Sequence, residues 1–135
     1  MTLLIGVNNQ YRGRGTEEFR SQFRDLLSRA IAFADSRASR VIVLSIPDWG
    51  VTPFAAGRDR AKIGVEIDAF NAICREEAAH AGARYVDITP ESRRVPNEPT
   101  LVARDGLHPS AVMYAEWARL VFPVALDALG HREAP

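Results

Sequence analysis

The sequence has very little of several residue types, and each scarcity excludes a class of protein. Cys74 is the only cysteine among 135 residues, so no disulfide can form within the chain. Basic and acidic residues number 17 each, and Lys62 is the only lysine. Because the formal net charge is zero and no stretch forms a basic patch, the chain lacks the charge that attracts nucleic acids and anionic membranes. We therefore expect no nucleic-acid partner.

Long apolar runs are also absent. No stretch approaches the roughly 20 apolar residues that a transmembrane helix needs, so no membrane span is expected. The first seven residues lack the charged start and the length of a signal peptide, which favours a cytoplasmic location unless an upstream segment carries such a signal. The length fits a single domain, residues 1–135, that is large enough to bury a core.

What the sequence does contain is a regular alternation of apolar runs and helical patterns. The apolar runs predict three buried strands, at Leu3–Val7, Val41–Ile46 and 83–89. The helical patterns predict three helices, from Thr16 to about Asp35, from about Asp59 to Gly82, and from Ser110 onwards. This order predicts an α/β fold in layers, with a parallel sheet and right-handed crossovers.

The last helix carries a mixed signal. Its apolar spacing predicts that four side chains are buried, namely Met113, Trp117, Leu120 and Val124. Pro123 lies within the same pattern, and a proline inside a helix removes one backbone hydrogen bond. We therefore expect the helix to kink or end near Pro123.

Polar side chains follow each predicted strand. Asn8, Asp48 and Asp87 fall where the strands end, and ligands of open α/β sheets bind at the carboxyl ends of the strands. The pattern therefore predicts a site at this edge of the sheet. Asp48 has two readings there, since it can line a pocket or cap the turn after Pro47, and the turn is favoured.

The stretch "DGLHPS" suggests acid–base chemistry. Asp105 and His108 are three residues apart in a tight turn that contains Gly106. Such a turn can bring the carboxylate within hydrogen-bond reach of the near imidazole nitrogen, leaving the far nitrogen free as a general base. Taken alone, the spacing favours an Asp that caps a turn, with the His merely lying beside it. Near the start, "IGVNNQ" adds an amide donor, Asn8, directly after a buried strand, where it can face a developing oxyanion.

Together these two stretches resemble the third and fifth sequence blocks of the SGNH (GDSL) ester hydrolases, and "VIVLSIPDWGVTPF" resembles the stretch after that family's next strand. The resemblance runs from Leu3 to about Val124. It implies a three-layer α/β/α fold with a flavodoxin-like parallel sheet. It also implies roles: Asn8 matches the oxyanion-hole residue, His108 the general base and Asp105 the acid that orients it.

Other positions match the family's pattern less closely. Gly6 matches the glycine of the third block, whereas Asn9 stands where the family usually has Asp, so a supporting role is expected for it. Arg12 follows closely and could meet an anionic substrate group, although a solvated loop cation is the favoured interpretation. Neither His80 nor His131 has potential ligands nearby in the sequence, and no metal or organic cofactor is expected.

The family's nucleophile motif is missing. No Gly-Asp-Ser occurs, and none of the seven serines lies in a comparable context; they are Ser21, Ser28, Ser36, Ser39, Ser45, Ser92 and Ser110. A buried strand hydroxyl is the favoured interpretation of Ser45. The resemblance implies that the chain starts at the third block, so that the fold lacks its first strands and the domain is incomplete at its N-terminus.

Two functions follow from the resemblance. One is a serine ester hydrolase acting on a small-molecule, carbohydrate or lipid ester, with its nucleophile missing from this chain. The other is an inactive fragment, or a binding or structural remnant, of such a domain. In either case the Leu3–Val7 strand loses a neighbour in the sheet, and an unpaired apolar edge favours self-association.

Overall fold

The computed structural model describes residues 1–130, and its elements follow the predicted order. Three short parallel strands form one sheet in the order β1-β2-β3, at Thr2–Leu3, Ile42–Leu44 and Arg84–Val86. The helices are α1 (Val7–Tyr11), α2 (Thr16–Phe33), α3 (Arg60–Ala81), α4 (Thr89–Ser92) and α5 (Ala111–Gly130). Four single 3₁₀ turns lie at Ala38–Arg40, Trp49–Val51, Pro53–Ala55 and Pro99–Leu101.

The sheet separates two hydrophobic clusters. On one face, α2 and α3 pack against Val43, which lies in the larger cluster with Phe19 and Ile67. On the other face, α5 packs against Ile42 and Leu44, since alternate residues of a strand point to opposite faces. The three layers of the predicted α/β/α class are therefore confirmed.

Local chemistry accounts for the ends of the long helices. The Asp59 carboxylate accepts the backbone N–H of Lys62 at the start of α3 (2.9 Å), and Gly82 ends that helix in the left-handed region with φ 73°. At α5 the Ser110 hydroxyl accepts the backbone N–H of Met113 (3.3 Å). Helix α2 begins at Thr16, one residue earlier than an N-cap at Thr16 would place it, because Gly15 is the cap.

The first strand is shorter than predicted. Strand β1 ends at Leu3, Val7 already belongs to α1, and Leu4 and Ile5 are exposed instead of buried on both faces. The cause is Gly6, whose φ of 125° turns the chain sharply out of the sheet. A Cβ at this position would lie 2.6 Å from the Cδ1 of Ile46 and 2.9 Å from the ring of Phe19. The backbone therefore makes its turn in direct contact with the core.

Two parts of the prediction for the last helix were wrong, since the helix does not end near Pro123 and two of the four listed side chains are not buried. Helix α5 continues through Pro123 to Gly130, because the proline lies on its exposed side, where water can satisfy the carbonyl that loses its donor. Leu120 is exposed and Val124 is half-buried, whereas Met113 and Trp117 are buried as predicted.

A buried carboxylate joins α2 to α3. Glu77 is almost completely buried and binds two arginines of α2, Arg20 and Arg24, the latter through Nε at 2.5 Å. The hydrogen bond from Arg24 holds the pKa of Glu77 below its ordinary value, against the effect of desolvation. A carboxyl with a lowered pKa stabilises the fold above its ordinary pKa, and this contribution is lost as the pH falls through the lowered value.

We expect the substitution Gly6→Ala to destabilise the protein by about 3 kcal/mol or more, because it combines a strained backbone with overpacking of the core. The matched control is Gly13→Ala. Gly13 also has a positive φ (67°), yet no heavy atom lies within 4 Å of its built Cβ, so only the backbone strain applies, about 1 kcal/mol. Urea unfolding of both variants measures the difference. Equal losses would show that Gly6 is not constrained by its contacts with Ile46 and Phe19.

We expect Glu77→Gln to lower the free energy of unfolding at pH 7 by about 2 kcal/mol, because a buried acceptor for two guanidinium groups loses its charge. Glu76→Gln is the control, since Glu76 also binds Arg20 but is exposed, and little change is expected there. The difference between wild type and Glu77→Gln should shrink as the pH falls from the ordinary pKa of a glutamate, 4.5, through the lowered value of Glu77. A difference that is independent of pH would contradict the assignment.

Candidate active site

Asp105 and His108 form one compact unit in the turn before α5. The Asp105 Oδ1 atom accepts the backbone N–H groups of Leu107 and His108, both at 2.9 Å, while Oδ2 lies 2.5 Å from Nδ1 of His108. Gly106 permits this turn with a φ of 73°. A single carboxylate therefore shapes the turn and contacts the imidazole at the same time.

The charge state of the Asp105 carboxyl follows from these contacts. The backbone N–H of Leu107, then the His108 side chain and its backbone N–H, lower the pKa of Asp105 to about 2. Asp105 is therefore ionised at all physiological pH values and accepts a hydrogen bond from the Nδ1–H group of His108. This fixes the tautomer and leaves Nε2 free to accept a proton. Both side chains are open to solvent, His108 to 69% and Asp105 to 51%.

The turn is anchored on both sides. The His108 carbonyl accepts the backbone N–H of Ala103 (2.8 Å), and the Gly106 carbonyl accepts that of Phe54 (3.0 Å). The second bond connects the turn to the loop that follows β2. The position of His108 is therefore tied to the sheet through Phe54, although the side chain itself is exposed.

Asn8 and His108 line the same cavity, which has a volume of about 480 Å³. Asn8 lies on α1 and is exposed, and within residues 1–130 its side-chain amide has no hydrogen-bond partner. The remaining walls are mostly apolar; they include Tyr11, Trp49, Phe54, Leu101, Met113 and Trp117. The cavity thus offers an amide donor and a base beside a largely apolar space.

Two residues that support the walls of this cavity were not predicted from the sequence. Gln10 is buried in α1; it accepts the indole N–H of Trp49 (2.7 Å) and donates to Glu66 (2.8 Å). Arg58 stacks at 5.2–5.3 Å over the rings of Tyr11, Trp49 and Phe54. The helical position of Gln10, three residues after Val7, could have revealed its inward direction, but the segment was assigned to a strand and a turn.

The structure separates the other candidate residues from the cavity or gives them structural contacts. Asn9 donates to Gln22 of α2 (2.8 Å), and Arg12 is exposed without lining the cavity. Asp48 lines the cavity but is buried, where it accepts the N–H of Gly50 (2.9 Å) and the Nε–H of Arg93 (3.0 Å). Gly6 lies beneath α1 against the core.

No serine in the part of the chain that the structure describes forms a hydrogen bond with His108, and all seven serines fall in that part. Ser45 is completely buried; it donates to Asp87 (2.9 Å) and accepts the backbone N–H of Ile88 (2.7 Å). Ser92 lines the cavity, but its hydroxyl donates to the Thr89 carbonyl (2.6 Å) and accepts the N–H of Asp48 (2.8 Å). Ser110 donates to the Thr100 carbonyl (2.6 Å).

Among residues 1–130, no three His, Cys, Asp or Glu side chains converge in a way that could hold a metal ion; His131 lies outside the described residues. No helix of this part of the chain is long and apolar enough to cross a membrane.

Comparison with known proteins gives a family match and a set of similar structures. The model of the GDSL-like lipase/acylhydrolase family matches residues 1–116, whereas no curated protein matches the chain. Acetylxylan esterase Axe2 from Geobacillus stearothermophilus is similar with a TM-score of 0.64 and 17% identity, over 97% of this chain and 59% of the esterase. LAE5, an α/β hydrolase from the metagenome of Lake Arreo in Spain, is similar with a TM-score of 0.67 and 19% identity, over 96% and 60%. This chain therefore spans about 60% of the length of these structures.

We expect the Asp105 side-chain carboxyl to titrate near pH 2 in a carbon-detected NMR titration, well below its ordinary value of 3.8. The amide signals of Leu107 and His108 should move in the same step, because both N–H groups lose their charged acceptor. In His108→Ala the midpoint should rise but stay below the ordinary value, since the bond from Leu107, the largest cause, remains. A midpoint at the ordinary value in the wild type would mean that the turn does not hold this carboxylate.

Proposed function

The chain belongs to the GDSL-like lipase/acylhydrolase family, and we propose that it supplies the general base and the oxyanion-binding amide of a serine ester hydrolase. The observation that carries this proposal is the 2.5 Å contact between Asp105 Oδ2 and His108 Nδ1, beside a cavity that Asn8 also lines. A carboxylate on one imidazole nitrogen with the other nitrogen free is the arrangement that activates a hydroxyl nucleophile.

Each residue has a defined task in this reaction. Nε2 of His108 takes the proton of a serine hydroxyl as its oxygen bonds to the ester carbonyl carbon, and Asp105 stabilises the imidazolium that forms. The Asn8 amide donates to the oxyanion of the tetrahedral intermediate. His108 then returns the proton to the departing alcohol, leaving an acyl-serine. Water attacks this ester by the same route and releases the acid.

The nucleophilic serine comes from polypeptide outside these 135 residues. In support, the hydroxyls of Ser45, Ser92 and Ser110 form hydrogen bonds with groups other than His108. The similar structures also include two catalytic mutants of Axe2, one with a serine near the beginning of that esterase replaced by alanine and one with a histidine replaced. This chain covers about 60% of that protein.

The substrate is a small-molecule ester, with a carbohydrate or a lipid as its larger part. The apolar walls around Trp49 and Trp117 suit an acyl or ring moiety, whereas the polar groups at the opening suit the reacting carbonyl. Axe2 is an acetylxylan esterase, which favours the carbohydrate class.

An inactive or binding remnant of the same domain is the rival proposal. It is favoured by one observation, the exposure of the Asp105–His108 pair, since catalytic bases usually act where water is excluded. The two proposals differ in whether His108, Asp105 and Asn8 act together on an ester.

We expect a fluorophosphonate serine-hydrolase probe to leave the mass of the 135-residue chain unchanged, because no serine contacts His108. A stoichiometric adduct that disappears in His108→Ala would contradict the proposal that the nucleophile lies outside this chain. In that case, peptide mapping identifies which of the seven serines reacts.

We also expect the chain to accelerate p-nitrophenyl acetate hydrolysis weakly, with His108 activating water or attacking directly. Asn8→Ala should lower this rate roughly tenfold, because the oxyanion loses a donor. The control His80→Ala should have no effect, since that imidazole lies near the end of α3, remote from the cavity lining. Rates that do not respond to either His108→Ala or Asn8→Ala would favour the inactive remnant.

A further inference from the structure

Helix α1 carries Asn8 to the cavity, yet little within the helix fixes its direction. It has five residues, too few for an isolated helix to be stable in water, and no side chain caps its first turn. Gly6 fixes the point at which the helix begins, because it packs against Ile46 and Phe19. The rotation of the helix about its own axis must therefore come from side-chain contacts with neighbouring elements.

Two polar side chains of α1 form hydrogen bonds with neighbouring elements. Asn9 donates to Gln22 of α2 (2.8 Å), but this bond is exposed, so water can replace either partner. Gln10 is 5% exposed, and both atoms of its amide group are bonded. Breaking a buried hydrogen bond leaves its partners without water to replace it. Gln10 is therefore the side chain that holds α1 more firmly.

The partners of Gln10 require an amide in one orientation. Its Oε1 atom accepts the indole N–H of Trp49 (2.7 Å), a group that can only donate. Its Nε2 atom donates to Oε2 of Glu66 on α3 (2.8 Å), and a carboxylate can only accept. An amide supplies one acceptor and one donor at these two positions, and rotating it by 180° would lose both bonds. The side chain is therefore fixed at both ends.

The position of Gln10 on the helix connects it to the cavity. At 100° per residue, Gln10 lies about 200° around the helix from Asn8, on nearly the opposite side. Holding Gln10 in the interior therefore turns Asn8 outward, to the side on which it lines the cavity together with Tyr11. Trp49 lines the same cavity, and its ring lies 5.3 Å from the ring of Tyr11. One amide thus joins the helix of Asn8 to another wall of the cavity.

We propose that Gln10 is a positioning residue for the oxyanion-binding amide: its buried side chain, held between Trp49 and Glu66, sets the direction in which α1 presents Asn8. The inference rests on the proposed function and adds to it a group that does not touch the substrate, since Gln10 does not line the cavity. Glu66 gains a role as well, although it too lies outside the cavity lining, because it holds the far side of the Gln10 amide.

Exchanging the donor and the acceptor tests this proposal in the 135-residue chain. Gln10→Glu keeps an acceptor for the Trp49 indole but places a second carboxylate against Glu66, and two like charges at this distance repel. We expect the backbone order parameter of Asn8, measured by ¹⁵N relaxation, to fall from about 0.85 to below about 0.6. The double variant Gln10→Glu/Glu66→Gln pairs a carboxylate with an amide again, so it should restore the wild-type value.

Gln22→Glu is the matched control. Gln22 accepts from Asn9 and donates to Glu18 (3.2 Å), so this substitution also keeps an acceptor for α1 and places a carboxylate against a carboxylate. Both bonds are exposed, where water screens the two charges. We expect the order parameter of Asn8 and the hydrolysis rate to stay at their wild-type values in this variant.

The rate of p-nitrophenyl acetate hydrolysis shows whether Gln10 acts through Asn8. Gln10→Glu should lower the rate up to about tenfold, as Asn8→Ala does, and Gln10→Glu/Glu66→Gln should restore it. In the Asn8→Ala background, Gln10→Glu should have no further effect, because the amide that it positions is gone. Additive losses of the two substitutions would overturn the proposal, and so would a double variant that fails to recover.

The two measurements separate this inference from the proposed function. If Asn8→Ala leaves the rate unchanged, the proposed function fails, and the order parameter still decides whether Gln10 positions Asn8. If Asn8→Ala slows hydrolysis and Gln10→Glu does not, only the present inference is overturned. Should Gln10→Glu fail to fold, Glu66→Ala replaces it, since Glu66 is only half-buried and the substitution removes one partner of the amide. An Asn8 order parameter that stays at the wild-type value in that variant would overturn the proposal.

Discussion

The carboxyl edge of the sheet depends on one buried hydrogen-bond network. Asn71 of α3 accepts the backbone N–H of Ile46 (2.7 Å) and donates to its carbonyl (3.1 Å), where β2 has just ended. The same amide donates to the Thr89 hydroxyl (2.9 Å), and Ser45 accepts the backbone N–H of Thr89 (2.9 Å). These side chains are buried, and each replaces a ladder bond that the strands no longer supply. The network therefore fixes the points at which the cavity-lining loops begin, which lie side by side at the carboxyl ends of β2 and β3.

The candidate site is assembled outward from this edge. The loop after β2 carries Trp49 and Phe54 into the cavity wall, Gln10 holds the Trp49 indole, and Phe54 binds the turn of Asp105 and His108. Each link is a hydrogen bond between elements far apart in sequence. The turn of the exposed base is thus held by the backbone of Phe54, and His108 lines the same cavity as Asn8.

The exposed apolar surface next to β1 adjoins the candidate site. The Asp105–His108 pair is exposed, β1 has β2 as its only strand neighbour among the described residues, and the exposed Leu4 and Ile5 next to β1 line the cavity. The similar structures are longer, with this chain spanning about 60% of each. A strand that carried the nucleophile and paired with β1 would remove the apolar surface of Leu4 and Ile5 from water.

The sequence by itself determined the order of elements and the parallel α/β class, and it placed Asp105 and His108 close enough along the chain for a contact that the family resemblance favoured. Each rests on local information: apolar periodicity defines helices, and a carboxylate three residues from an imidazole meets it within one turn. Tertiary structure decided the features that depend on contacts between residues far apart in the sequence. The apolar run at the start forms a short strand and a helix because Gly6 packs against Phe19 and Ile46. Asn9 donates a hydrogen bond to Gln22 and does not line the cavity. Spacing along the chain does not encode such contacts, because they arise only when packed layers bring remote residues together.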